Sequence, residues 1–262
     1  MPITLIPVSE KDIWTGSTWV IEDEDALAEL IARVAIGQSR VVERILRATG
    51  ASSPGYPKGG FDGARELLLV EPGCKPYHRD GWMFQVISWI AAHRRSLDDL
   101  IRAPHMIQAD KGLDGLLVEF DVDEIARVVI SEEKATKNPL KMVRSEVWPE
   151  FVDFESGRRD NELIASVTSL LATSDDPDPD ETVANILWQN KRAYRVAVTV
   201  GDAHSTKQGR KILYKGYEAA VPGEVARRRA ETLYVPDVRT WFAQIADKAR
   251  AVIDAEEVKS NV

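Results

Sequence analysis

The chain has 262 residues, of which 44% are hydrophobic, and a formal net charge of −8 at pH 7. A chain of this length can bury a sizeable core, and its one cysteine, Cys74, leaves no pair for an intramolecular disulfide and no multi-cysteine zinc site. No apolar stretch approaches the roughly 20 residues of a membrane span and no secretory signal is recognisable, so we expect a cytoplasmic protein. The negative charge disfavours non-specific coating of nucleic acid but not a local basic groove.

The N-terminal part of the chain is predicted to be helical. Apolar residues recur at helical spacing from Asp23 to Ala48, and Gly37 breaks or kinks this pattern. The stretch 51–60 is rich in Gly, Pro and Ser and is predicted to be a loop. We therefore expect an N-terminal helical portion over residues 1–62 and a larger core over residues 63–262.

Beyond this loop the hydrophobic period changes from that of helices to that of strands. Residues 67–70 form a short apolar run that fits a strand or a helix end. The run 82–91 is apolar over almost its whole surface, which is typical of a buried helix. Three short aliphatic runs, 105–108, 116–120 and 126–131, then predict three strands.

The second half of the chain continues with mixed elements. Helices are predicted at 160–172, 182–188 and 238–258, and strands at 194–200 and 213–219. Runs of strands bracketed by helices, rather than strict alternation of single strands and helices, predict an α/β fold. We expect a mixed sheet with helices on its faces.

Charged residues end one of the predicted strands. The apolar run 128–131 leads directly into Glu132, Glu133 and Lys134. Because alternate side chains of a strand share a face, Glu132 and Lys134 project together while Glu133 points the other way. Charges at the end of a buried strand are unfavourable unless they are paired. Asp114 lies in a glycine-flanked turn before the preceding strand, within reach of the same sheet edge.

Two carboxylates and a lysine at one point suit a site for a divalent cation. Mg²⁺ is held by one or two carboxylates and keeps several waters, which leaves room for a phosphate oxygen. The metal neutralises charge that develops on the phosphate and lowers the pKa of a bound water, and a lysine beside that water can orient it. The alternative is that Glu132 and Lys134 form an exposed ion pair of little energetic value.

Asp114, followed by Glu132-Glu133-Lys134 on the next strand, resembles the active-site signature of the PD-(D/E)xK nuclease superfamily. The core of that family has the element order αβββαβ, and the elements predicted for residues 81–200 are similar in order and type. The resemblance implies a restriction-endonuclease-like fold and a Mg²⁺- or Mn²⁺-dependent endonuclease that hydrolyses DNA phosphodiester bonds. It implies Asp114, Glu132 and Lys134 as catalytic residues, with Asp114, Glu132 and the main chain of Glu133 as metal ligands.

Two positions differ from the usual pattern of that family. Leu113 precedes Asp114 where many members have proline, and the preceding helix offers Gln85, or Asp80 just before it, where members often carry another acid. A basic run at 227–229 is predicted to lie on a helix face. Other basic residues are candidate phosphate contacts, because such contacts supply most nucleic-acid affinity. These candidates are Lys111, Lys137, Arg144, Arg158 and Arg159.

The resemblance also implies a biological setting, namely bacterial antiphage or restriction-type defence together with a partner such as a helicase or ATPase subunit. The net charge of −8 fits weak binding of DNA by this chain alone. A function of another class stays open: a non-catalytic interaction subunit of a larger complex, whose terminal helices dock a partner and whose charged triad is a salt bridge. Nicking of plasmid DNA in Mg²⁺ or Mn²⁺, compared with EDTA, discriminates between the two.

Overall fold

The computed structural model describes most of the chain. The described residues are 1–47, 54–96, 98–108, 112–121, 124–174, 178–188 and 191–260. The loop predicted at 51–60 lies partly outside these ranges, and Lys111 lies outside them.

One mixed sheet runs through the described residues. Its strands are β1 (Ile3–Glu10), β2 (Trp14–Ile21), β3 (Leu100–Ile101), β4 (Gly115–Asp121), β5 (Glu124–Lys134), β6 (Arg192–Val200) and β7 (Arg228–Tyr234). They lie side by side in the order β1-β2-β7-β6-β5-β4-β3. The pairs β1–β2, β3–β4 and β4–β5 are antiparallel, whereas β2, β7, β6 and β5 are parallel neighbours.

Helices cover both faces of this sheet. They are α1 (Glu24–Ala35), α2 (Ser39–Leu46), α3 (Phe61–Leu68), α4 (Tyr77–Arg95), α5 (Pro139–Met142), α6 (Trp148–Glu155), α7 (Asp160–Leu171), α8 (Pro179–Trp188), α9 (Asp202–Ser205), α10 (Lys207–Leu213), α11 (Tyr217–Ala220) and α12 (Val238–Ser260). A π-helical turn at Val143–Val147 joins α5 to α6, and a 3₁₀ turn at Val225–Arg227 precedes β7.

Each face of the sheet has its own hydrophobic cluster. The helices α1, α3, α4 and α12 pack on one face, and α6, α7, α10 and α11 pack on the other. The helix α4 is buried around most of its circumference, as its sequence predicts: Met83, Phe84, Val86, Ile87 and Ile90 are all fully buried. None of the helices in the described ranges has the length and hydrophobicity of a membrane span.

The N-terminal region differs from its prediction. The hairpin of β1 and β2 precedes the first helix and joins the sheet through β7. Pro7 lies in β1, which is an edge strand, where the missing N–H is tolerated. The helix predicted at 23–48 is two helices, because Gly37, with φ +87°, separates α1 from α2. Residues 1–62 are therefore not purely helical, and the boundary at residue 62 stays a prediction.

Three other local predictions are wrong. The run 105–108 is not a strand, and the short edge strand β3 comes before it. The run 213–219 is not a strand: it covers the end of α10, a turn and the start of α11, and Leu213 and Tyr217 are buried on either side of that turn. The basic run 227–229 does not lie on a helix face, because it enters β7, where its last two residues are buried.

From α4 onward the elements follow one another as a helix, the antiparallel strands β3, β4 and β5, a helical connection, and β6, which is parallel to β5. The predicted α/β class, with a mixed sheet flanked by helices, is confirmed at this level. Because β4 and β5 are antiparallel, the first residue of β4 lies at the same end of the sheet as the last residues of β5.

Candidate active site

Asp114, Glu132 and Lys134 meet at one end of the sheet. The register of β4 and β5 pairs Gly115 with Ser131, so Asp114 stands beside the end of β5. The ammonium Nζ of Lys134 lies 2.9 Å from Asp114 Oδ2 and 2.7 Å from Glu132 Oε2. The structure thus brings together three groups that the sequence places up to 20 positions apart.

Two further groups hold the Asp114 carboxylate. Gln85 Nε2, on α4, donates to Asp114 Oδ1 at 2.9 Å, and the main-chain N–H of Glu133 donates to Asp114 Oδ2 at 3.1 Å. Gln85 therefore stands on α4 where the resemblance would place an additional acid. Asp80, the other candidate, is paired instead with Arg79 and Arg239.

Glu132 is the most deeply buried member of the triad. Its side chain is 2% exposed, whereas Asp114 and Lys134 keep 15% and 18% exposure, so solvent reaches the triad through those two residues. Burial raises the pKa of the Glu132 carboxyl well above its ordinary value, and the nearby Asp114 carboxylate raises it further, against the opposing ammonium of Lys134.

Lys134 keeps its proton. Burial by itself lowers the pKa of the ammonium, but the neighbouring carboxylates of Glu132 and Asp114 outweigh that effect and raise the pKa above its ordinary value. The ammonium is therefore a cation at neutral pH and serves as a hydrogen-bond donor rather than as a proton acceptor.

Glu133 points to the opposite face of the sheet, as the strand alternation predicts. Its Oε1 accepts from Ser88 at 2.8 Å, from Ser131 at 2.5 Å and from Arg195 at 3.2 Å. Burial raises the pKa of this carboxyl, although Arg195 opposes the shift. Of Glu133, only the main chain is directed toward the triad, through the N–H that binds Asp114.

A buried ionic network continues from Glu133 across the sheet. Arg195, on β6, pairs with Glu133 at 3.2 Å and with Glu231 of β7 at 2.6 Å. Arg95, at the end of α4, lies 3.3 Å from Glu231. Arg229, also on β7, pairs with Glu119 of β4. This network was not predicted from the sequence, although Arg195 within the otherwise apolar run 193–200 was a signal of it.

The oxygen ligands at the triad suit a hard cation, such as Mg²⁺, that needs few ligands from the protein. Among the described residues, no group of three or more His, Cys, Asp or Glu side chains is arranged to hold a metal ion. Mg²⁺ needs only one or two carboxylates, and Asp114 and Glu132 supply these. The ammonium of Lys134 lies between both carboxyls, and with both of them ionised one negative charge is left in excess. Nitrogen- or sulfur-rich coordination is not offered here.

The basic residues predicted to contact phosphate are mostly engaged within the protein. Those in the described ranges have these partners: Lys137 lies 3.4 Å from Asp237, Arg144 donates to Ile212 O at 2.9 Å, Arg158 lies 2.5 Å from Asp153, and Arg159 pairs with Glu150 and Glu162. The carboxylates neutralise Arg158 and Arg159 in particular. Lys111 lies outside the described residues.

No protein-family model, no curated protein and no solved structure matches this chain.

Proposed function

We propose that this protein is a metal-dependent nuclease that hydrolyses phosphodiester bonds in DNA. The observation that carries the proposal is the meeting of Asp114, Glu132 and Lys134 at one end of the sheet, with Nζ of Lys134 within 2.9 Å of both carboxylates. A carboxylate pair with a fixed cation beside it is suited to hold a divalent ion and to orient a water for attack on phosphorus.

The order of the elements supports the same proposal. Asp114 precedes β4 and the Glu-x-Lys sequence ends β5. Because these strands are antiparallel, both lie at the same end of the hairpin. The strand β6 then follows a helical connection and pairs parallel to β5. This succession is similar to the αβββαβ order of the PD-(D/E)xK nucleases that the sequence resembles, with several helices in place of the second one.

Asp114, Glu132 and the main-chain carbonyl of Glu133 would hold Mg²⁺ or Mn²⁺. When bound, such an ion lowers the pKa of a coordinated water and neutralises charge that develops on the phosphate. The metal ligands must be oriented before the substrate binds. Gln85 and the Glu133 N–H fix the two oxygens of Asp114, so the orientation of that carboxylate is set before any substrate arrives.

Lys134 positions the attacking water and stabilises negative charge. Because its pKa is raised, the ammonium stays protonated and cannot take the proton of the water. It donates hydrogen bonds and places a positive charge beside the developing hydroxide, which is an electrostatic contribution to catalysis. Its loss should therefore lower kcat more than it raises KM.

The experiment that tests this proposal is nicking of supercoiled plasmid in Mg²⁺ or Mn²⁺, with EDTA as the blank. We expect cation-dependent cleavage by the wild-type chain and none by Glu132→Ala or Lys134→Ala, with folding of both variants checked by circular dichroism. Lys248→Ala, at an ion pair on α12, is the matched control and should cleave normally. Full Mg²⁺-dependent activity in either triad variant would refute the assignment.

A second candidate function is a non-catalytic interaction subunit. It is favoured by one observation: Lys134 already pairs with both carboxylates, as a purely structural ion triad would. In that case purified wild-type protein shows no cation-dependent cleavage of plasmid, single-stranded DNA or RNA, and Lys134→Ala lowers stability without any other effect.

We also propose that the isolated chain binds DNA weakly and acts with a partner protein, such as a helicase or ATPase subunit of an antiphage system in the cytoplasm. The net charge of −8 supports weak binding, because it repels the phosphate backbone outside any local basic surface. Nanomolar affinity of the chain alone for duplex DNA at physiological salt would contradict this.

A further inference from the structure

A groove of about 1030 Å³ runs beside the edge strand β3, between α2 and α7. Its cationic lining residues are Arg40, Arg44 and Arg47 from α2 and its C-terminal end, together with Arg102, which directly follows β3. We refer to the space between these four residues and α7 as the arginine groove. Its volume is at the upper end of the range of small-ligand sites.

The three arginines of α2 are free to bind an anion. They stand at positions i, i+4 and i+7, so they share one face of the helix, and all three are exposed. Within the part of the chain that the structure describes, none of the three forms an ion pair. This contrasts with Arg158 and Arg159, whose charges are neutralised by carboxylates.

The acidic residues of the arginine groove do not cancel this charge. Glu43 and Asp99 line it, against the three exposed arginines of α2 and its C-terminal end. Burial raises the pKa of both carboxyls above their ordinary values, so each is less readily ionised than an exposed acid. On a chain that is acidic overall, the groove is a local concentration of positive charge.

A second observation independently points to a ligand. His93 lines the same groove, is 1% exposed, and neither of its ring nitrogens has a hydrogen-bond partner among the described residues. Glu43 Oε1 lies 3.7 Å from Nε2, too far for a hydrogen bond. Unsatisfied buried polar groups are unfavourable and rare. A polar group bound in the groove would satisfy the imidazole.

The arginine groove lies next to the Asp114 side of the triad. Ile101 and Arg102 line it and also line the small space beside Asp114 and Gly115. The guanidinium of Arg102 donates to the carbonyl of Leu113, the residue before Asp114. A strand that lies along the groove would therefore pass close to the acid that would hold the metal.

We propose that the arginine groove binds the phosphodiester backbone of a single nucleic-acid strand and guides it to Asp114, Glu132 and Lys134. This inference rests on the proposed function. Among the described lining residues, His93 is the one aromatic ring, so base stacking is minor and binding is to phosphates, without sequence preference. The volume admits a few nucleotides of one strand rather than the width of a duplex.

The test measures fluorescence anisotropy of a labelled single-stranded oligonucleotide in EDTA over a series of salt concentrations. The variant Arg40→Ala/Arg44→Ala/Arg47→Ala should bind at least about tenfold more weakly, and its plot of log affinity against log salt should be shallower by about 2 units. Two triple variants are matched controls. Arg→Lys at the same positions keeps the charge, and Lys11→Ala/Lys207→Ala/Lys215→Ala removes three exposed cations elsewhere.

We expect the lysine variant to keep most of the affinity and the distant control to bind like the wild type. The groove is ruled out if the alanine variant keeps the wild-type salt slope, or if the distant control weakens binding equally. Cleavage in Mg²⁺ is measured in parallel. If the wild type binds through these arginines but does not cleave, the nuclease proposal alone is overturned. If the alanine variant cleaves with an unchanged KM, the groove proposal alone is overturned. If the wild type shows no binding and no cleavage, both proposals are overturned.

Discussion

Glu133 Oε1 lies 3.2 Å from Arg195 Nη1, on the face of the sheet opposite Lys134. The two neighbours Glu133 and Lys134 thus belong to different charge systems, one closed inside the protein and one partly open to solvent. The side chains of Glu133 and Arg195 are each 3% exposed, so neither charge can be stabilised by water. The buried ion pairs hold the end of β5 on one face of the sheet, and the triad lies on the other face.

This relationship predicts a large effect of Arg195→Met on stability. The substitution removes the ion-pair partner of Glu133 among the described residues and leaves Glu231 with Arg95, at 3.3 Å, and the more distant charge of Arg229. Breaking a buried ion pair from one side destabilises by about 3–5 kcal/mol, and urea denaturation measures the loss. Lys248→Met removes a solvent-exposed cation from its pairs with acids of α1 and should change little. A loss below about 1 kcal/mol for Arg195→Met would contradict the prediction.

Long amphipathic or apolar patterns allowed the main helices to be predicted. The predicted runs 82–91 and 238–258 lie within α4 and α12, because each pattern extends over several turns. The strand β1 was not predicted: Pro7 interrupts its alternation, and only its position at the sheet edge makes that proline acceptable. Its partner β2 joins the sheet through β7, about 200 positions away, which no local pattern encodes.

More of the candidate site than of the surrounding fold could be predicted from the sequence. Glu132 and Lys134 are two positions apart on one strand, and Asp114 reaches them through a hairpin of neighbouring strands, so local geometry is enough. The pairing of Arg195 with Glu231 depends on the parallel register of β6 and β7, which the helices between them set. The arginine groove likewise depends on how α2, β3 and α7 pack together, which lies beyond any spacing rule.

Glu132→Gln should not lower stability, although it removes a proposed catalytic group. Burial and the Asp114 carboxylate raise the pKa of Glu132 above its unfolded value. The folded state therefore binds the proton more tightly, and this group's contribution to stability declines as pH rises through that interval. At pH 7 in EDTA we expect the variant to gain about 1 kcal/mol in urea denaturation.

The matched control for that substitution is Glu124→Gln, at the exposed start of the same strand, which should leave stability unchanged. The gain in Glu132→Gln should also shrink on going from pH 8 to pH 5, because a carboxyl whose pKa is raised by folding destabilises the folded state less as the pH falls toward its ordinary value. A clear destabilisation at pH 7 would show that ionised Glu132 stabilises the metal-free fold, contrary to the argument from its burial.

His93 should make the protein sensitive to acid. Burial, with a smaller effect of Arg47, lowers the pKa of His93 to about 4, so the folded protein keeps the imidazole neutral. The unfolded chain takes up a proton near pH 6.5, and stability that is complete above that pH is lost as pH falls toward 4. The shift corresponds to about 3 kcal/mol. His93→Phe keeps the contact with Trp89 but cannot titrate.

We therefore expect urea denaturation of His93→Phe to show a smaller loss of stability between pH 6.5 and pH 4.5 than the wild type. The exposed His78 provides the control, since His78→Phe should follow the wild-type profile. Glu43 lies 3.7 Å from His93 and burial raises the pKa of its carboxyl, so Glu43→Gln separates its contribution. Parallel profiles of wild type and His93→Phe would disprove the assignment of acid sensitivity to this imidazole.

Gly16 is required by the close approach of β2 and β7. It pairs with Ala230, and a Cβ at position 16 would overlap the carbonyl oxygen of that residue. Gly16→Ala must therefore separate the two strands, and β1 and β2 are joined to the rest of the sheet through β7. We expect a loss of about 3 kcal/mol or more in urea denaturation and faster hydrogen exchange of the amides of β1 and β2.

Gly63→Ala is the same chemical change, but it should raise stability rather than lower it. Gly63 lies within α3, and no heavy atom comes within 4 Å of a Cβ built there. Alanine is favoured over glycine inside helices, so this variant should gain about 0.5–1 kcal/mol. If both variants shift stability in the same direction, the close packing of β2 against β7 is not what requires glycine at position 16.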